Sequence, residues 1–142
     1  MTAKIAYDEV ETGTELPAQS FPVTRATLVR YAGASGDFNP IHWNEKFAKE
    51  VGLPDVIAHG MFTMAEAIRV VTDWAGDPAA VVEYGVRFTK PVVVPNDADG
   101  ALVEVSAKVA AKLEDGLVRV DLTATSAGQK VLGMSRAVVR LA

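Results

Sequence analysis

Asp37 and His42 are the residues of this chain best suited to moving protons. An imidazole titrates near neutrality, and a carboxylate beside it can hold one tautomer or share a bound water, which is what acid/base chemistry at pH 7 requires. The two stand five residues apart in Ser35-Gly36-Asp37-Phe38-Asn39-Pro40-Ile41-His42-Trp43, a stretch dense in turn formers. Pro40 keeps the backbone of Asn39 extended, so the loop can double back and bring both side chains to one side. Composition alone allows a plainer reading, in which Asp, Asn, Gly and Pro merely make a turn and the histidine packs beside its tryptophan. A second group, Ile57-Ala58-His59-Gly60-Met61, stands at the mouth of an apolar helical pattern. The first N–H groups of such a helix have no intrahelical acceptor and carry the positive end of its dipole. Gly60 would let a substrate oxygen approach them. An acyl carbonyl there, beside an acid/base pair, is the layout for enolate chemistry on a thioester. His59 fits a structural capping role as well as a catalytic one.

Other chemistries find little support. The chain has no cysteine, which removes thiolate catalysis, disulfides, zinc ribbons and iron–sulfur ligation. His42 and His59 lack the H-E-x-x-H spacing and the local sequence implies no third ligand, so no metal is expected. Asp97-Ala98-Asp99-Gly100 resembles a calcium loop faintly, but its twelfth position would be Ser106 rather than a bidentate carboxylate. It reads as a turn. Gly33 and Gly36 are not followed by Gly-Lys-Ser/Thr, and no strand leads into a G-x-G-x-x-G, so nucleotide cofactors are not expected.

The elements that must hold these residues follow from periodicity. A first helix runs from Thr24 as N-cap to Gly33 as the left-handed C′ residue, and a second from Asn44 to Val51, with Glu45 and Lys49 paired and Gly52 and Pro54 closing it. The loop carrying Asp37 and His42 is pinned between them. Gly60 to Ala75 is apolar over most of its circumference, which marks a buried helix with Glu66, Arg69 and Asp73 as its charged strip. Beyond it the period becomes two. Strands are expected at Val82–Phe88, Leu102–Val109, Leu117–Thr125 and Val131–Leu141, with hairpin turns at Asp115-Gly116 and Ala127-Gly128. The order is helices first, then an antiparallel meander, giving an α+β domain with one buried helix against the sheet.

At 142 residues, 49% hydrophobic and 23% charged, the chain reads as one globular domain over 1–142. A net charge of −4 lacks the positive footprint of nucleic-acid or anionic-membrane binding. No apolar run reaches the roughly 18 residues that a membrane span needs. The acidic N-terminal stretch shows no apolar signal core, so a cytoplasmic location is expected.

Tyr31-Ala-Gly-Ala-Ser35-Gly36-Asp37-Phe-Asn39-Pro40-Ile41-His42 resembles the hydratase-2 motif of the MaoC-like family of (R)-specific enoyl hydratases and (3R)-hydroxyacyl-ACP dehydratases. The likeness continues through Ala58-His59-Gly60-Met61 and Tyr84-Gly-Val-Arg87-Phe88 with Pro91 and Pro95, and is strongest to catalytic B-type subunits of the mycobacterial-type dehydratase. One departure is Pro95-Asn96-Asp97, where many relatives read Pro-Gly-Asp. The resemblance implies a single hot-dog fold, a long central helix wrapped by an antiparallel sheet. It implies reversible dehydration of (3R)-3-hydroxyacyl thioesters to trans-2-enoyl thioesters in fatty acid elongation, without a cofactor. It further implies Asp37 and His42 as the catalytic pair, Asn39 as a substrate-positioning residue and Gly60 as the oxyanion donor. Implied partners are an acyl-CoA or acyl-ACP thioester and a second hot-dog subunit, identical or related. Alternatives are a homodimeric (R)-specific enoyl-CoA hydratase of degradation or polyester supply, and a non-catalytic hot-dog subunit, which should have lost the pair. A thioester hydrolase would need a further carboxylate on the central helix, for which Glu66 is the candidate.

Overall fold

A computed structural model describes residues 3–142. Five antiparallel strands form one sheet in the order β1-β3-β4-β5-β2, comprising β1 (Glu15–Val23), β2 (Val81–Phe88), β3 (Ala101–Lys112), β4 (Leu117–Ser126) and β5 (Gln129–Arg140). Three helices, α1 (Arg25–Ser35), α2 (Glu45–Glu50) and α3 (Gly60–Ala75), lie between β1 and β2 in the chain. The expected meander is present as β3-β4-β5, and its inward positions Val103, Val105, Ala107, Val109, Val118, Val120, Leu122 and Ala124 are all buried. Both hairpins turn through left-handed pairs, Asp115-Gly116 and Ala127-Gly128.

The helices-then-strands order is corrected by β1, which precedes every α-helix and pairs with β3. Its sequence, ELPAQSFPV, hides the strand: Pro17 and Pro22 suppress strand propensity, and a register shift between Leu16 and Gln19 breaks the alternation. Proline is tolerated because β1 is an edge. Helix α1 is also longer than expected. It passes through Gly33 and ends at Gly36, whose φ of 76° supplies the left-handed cap. Its start is as read, a capping box between Thr24 and Thr27. Helix α2 is capped by Asn44 and carries the Glu45–Lys49 pair at 3.6 Å.

The limits of α3 agree with the sequence reading, but its burial is one-sided. Thr63, Ala67, Val70, Val71 and Ala75 face the sheet, whereas Met61 is 59% exposed and Phe62, Met64 and Trp74 are half-buried. Of the charged strip, Glu66 and Arg69 pair at 3.0 Å, while Asp73 accepts from Gln19 of β1 at 2.9 Å. Tyr84 of β2 donates to the carbonyl of Met64, tying the other edge strand to the helix. No helix among the described residues is long and apolar enough to cross a membrane.

Candidate active site

Asp37 follows the left-handed cap of α1, and His42 closes a short 3-10 turn over Pro40–His42. The loop between them is built from its own side chains. Ser35 Oγ accepts from the Asp37 N–H, Asp37 Oδ1 from the Asn39 N–H at 3.1 Å, and Asn39 Oδ1 from the Ile41 N–H at 3.2 Å. Trp43 donates its indole N–H back to the Phe38 carbonyl at 2.9 Å. These successive turns consume Oδ1 of Asp37 and leave Oδ2 facing His42.

His42 is 6% exposed. Its Nδ1 lies 2.7 Å from the carbonyl oxygen of Ile57. A carbonyl only accepts, so Nδ1 carries the hydrogen and the neutral ring keeps its lone pair on Nε2. That Nε2 is 3.9 Å from Asp37 Oδ2, too far for a direct hydrogen bond. A water or substrate hydroxyl beside the pair, off the line joining the two atoms, can bridge them. Burial lowers the pKa of His42 below 6.5, helped by the neighbouring His59 and opposed by the Ile57 hydrogen bond and Asp37. At neutral pH the ring is therefore a free base.

The second loop is brought in by backbone pairing: Ile57 N–H donates to Ile41, Ala58 N–H to Val92, and Val94 N–H to Val56. Arg25 staples the same crossing, its guanidinium on Asp55 at 2.9 Å and on the Val94 carbonyl at 2.8 Å. Asp37, His42, His59 and Gly60 thus line one cavity of about 530 Å³. The rest of its wall is mostly apolar, including Ile41, Met61, Phe88, Pro91, Val131 and Leu132. Phe88 presses on Gly60, where an added Cβ would stand 3.0 Å from the ring.

Asn39 does not line this cavity; its carboxamide acts on the turn that carries His42. Glu66 lies elsewhere, on a separate groove with Arg69 and Phe21. Sequence reasoning did not find Tyr31, Phe88, Lys90 and Leu132 as cavity residues, because helix packing and strand register bring them there. Asp97 proves to be turn chemistry, its Oδ1 accepting from Asp99 and Gly100 N–H.

Folding does supply the third potential ligand that the local sequence lacks, since donor atoms of Asp37, His42 and His59 lie within 4.8 Å of one another. The donor geometry does not suit an ion. The two imidazoles are stacked, centroids 3.7 Å apart and planes inclined by 21°. An ion bound to both must lie near both ring planes, and these meet far beyond the reach of a metal–nitrogen bond of about 2.1 Å.

Residues 9–126 match the MaoC-like domain. The chain belongs to this family. Over 79 residues, 56% of its length, it is 49% identical to 3-hydroxyacyl-thioester dehydratase X of Mycobacterium tuberculosis. A solved MaoC-like dehydratase superposes on 99% of the chain with a TM-score of 0.95 and 41% identity. The R-hydratase PhaJ1 from Pseudomonas aeruginosa does so with a TM-score of 0.82 and 26% identity, and the chain covers 87% of it. The chain spans only 27% of the mycobacterial relative and 43% of the first structure. The hot-dog fold expected from the resemblance is the fold observed, with α3 as its central helix.

Proposed function

We propose that this MaoC-like domain is a hydro-lyase that interconverts (3R)-3-hydroxyacyl and trans-2-enoyl thioesters, with Asp37 and His42 as its acid/base pair. The observation that carries the reading is the 3.9 Å gap between Asp37 Oδ2 and the bare Nε2 of His42, in a cavity shared with the N-terminus of α3. One oxygen set off the line between the two atoms can hydrogen-bond to both, and the flanking atoms are a carboxylate and a base. In dehydration, His42 Nε2 takes the C2 proton, the C2–C3 double bond forms, and the C3–O bond breaks as that proton passes from His42 to the departing hydroxyl, which Asp37 Oδ2 holds by accepting its hydrogen bond. The pair ends with the protons it began with, so the balance closes with release of one water. The Gly60 N–H at the start of α3 stabilises the enolate oxygen that develops on the thioester carbonyl. The thioester acidifies C2 without a cofactor.

Asn39 supports the pair through the turn that carries His42. The substrate is an acyl-CoA or acyl-ACP thioester, and the functional unit is a dimer of hot-dog subunits in the cytoplasm, with fatty acid elongation as its setting. The test is incubation of the purified chain with crotonyl-CoA. Loss of enoyl absorbance without release of free thiol supports a hydratase. Thiol release, or no change in either signal for the assembled protein, overturns it. A parallel comparison of CoA with ACP thioesters separates elongation from the degradative reading.

A further inference from the structure

His59 moves no proton in the reaction above, yet it is buried more deeply than His42, 2% exposed against 6%. Three contacts hold its ring. Nε2 lies 3.0 Å from the main-chain oxygen of Asp37, and since a carbonyl only accepts, Nε2 carries the hydrogen and Nδ1 is bare. One face lies on His42 at 3.7 Å, and Tyr31 packs against it in a T-shaped contact at 4.7 Å. The bare Nδ1 is buried with no hydrogen-bond partner among the described residues. A ring kept for packing alone would be better served by an apolar side chain, because a buried unpaired acceptor is a net cost. The cost of Nδ1 is offset by what Nε2 and the ring face do.

We propose that His59 is the positioning residue of the acid/base pair: its Nε2–H fixes the backbone of Asp37 and its face fixes the plane of His42. One side chain thereby sets both sides of the 3.9 Å gap, and its residue stands at the N-cap position of α3 before Gly60, with no capping bond from its ring. The other titratable groups lining this cavity are Asp37 beyond α1, Tyr31 of α1 and Lys90 beyond β2.

The inference rests on the proposed reaction for its kinetic arm but not for its spectroscopic one. His59→Phe keeps a ring and loses the donor, whereas His59→Gln keeps an N–H able to reach the Asp37 carbonyl. In folded protein, we expect His59→Phe to lower kcat by about ten- to a hundredfold with KM changed less than about threefold. His59→Gln should recover most of that loss. Equal activity of both with wild type, or a Gln variant no better than the Phe variant, overturns the assignment. Long-range 1H–15N spectra of the wild-type imidazoles decide it without any variant. An Nε2–H tautomer of the His59 ring supports it, and an Nδ1–H tautomer overturns it. If wild type leaves enoyl thioesters untouched, the proposed reaction falls while the tautomer still tests the clamp.

Discussion

His42 is a base because Ile57 holds its Nδ1–H and burial disfavours the charged form. Removing the imidazole takes away the base, and turning the carboxyl into an amide takes away the acceptor that holds the departing hydroxyl, while the local turns persist. His42→Ala and Asp37→Asn should each lower kcat by about two to four orders of magnitude. Folding is checked by circular dichroism, and activity within about tenfold of wild type would remove the residue from the chemistry. Asn39→Ala should be milder, since Asn39 Oδ1 caps the turn rather than meeting substrate. The lowered pKa of His42 fixes a sign for pH dependence. A base must be unprotonated, so kcat/KM for dehydration should hold as pH falls to about 6.5 and decline only below it. Stability follows the same direction: the unfolded chain binds the proton first, so stability contributed by burying the neutral ring is full above about pH 6.5 and is lost as pH falls toward the folded value. An acid limb above pH 6.5 would contradict this account of His42. The turn that brings Asp37 and His42 to one cavity was legible in the sequence because its turn formers lie together in one short loop, whereas Asn39, expected at the substrate, holds that turn instead. Phe88 and Leu132 were not, since their place in the cavity depends on the β2–β5 register.

At the scale of elements, the central helix and the hairpins were readable because each is set by local chemistry, and β1 was not because its signal is local in the wrong sense. Two prolines and a register shift argue against a strand, and only pairing with β3 makes one. The junction after β1 shows how tightly the elements are stapled. Gly100, at φ +64° just before β3, sits so close to the carbonyl of Val23 that any Cβ would collide with backbone. Gly100→Ala should therefore destabilise the fold by about 1–3 kcal/mol from strain alone, with the backbone clash added to it. Urea unfolding reads this as a lower midpoint at unchanged slope, and a midpoint equal to wild type would mean that the junction is loose. Gly60 differs, because the obstacle there is the movable ring of Phe88 at 3.0 Å. Gly60→Val should leave stability closer to wild type and cut kcat/KM on short enoyl thioesters by about a hundredfold or more, by displacing Phe88 and crowding the oxyanion position. Normal turnover in that variant would place the carbonyl elsewhere.

The sheet as a whole has two edges, and they are unlike. β1 carries Pro17 and Pro22, which remove donors and blunt it against pairing. β2 has no proline and leaves Val82 half exposed and Phe88 55% exposed. An unpaired, proline-free edge with apolar side chains is a template for another strand, so a second hot-dog subunit should continue the sheet through β2. The same strand ends at the cavity: Phe88, Thr89 and Lys90 line its wall, so a subunit docked along β2 stands next to the substrate entrance. Association and activity should therefore be lost together. Light scattering of the chain expressed alone should give the mass of a dimer, and Val82→Lys, which puts a charge on that edge, should shift it toward monomer and lower activity in parallel. Pro22→Lys in β1 is the control and should change neither. Co-expression with a related subunit that lacks the pair should raise activity on long acyl chains, if such a subunit is the physiological occupant. A stable monomer with full activity would sink the prediction, because the open β2 edge and the position of the cavity at its end both call for a second chain.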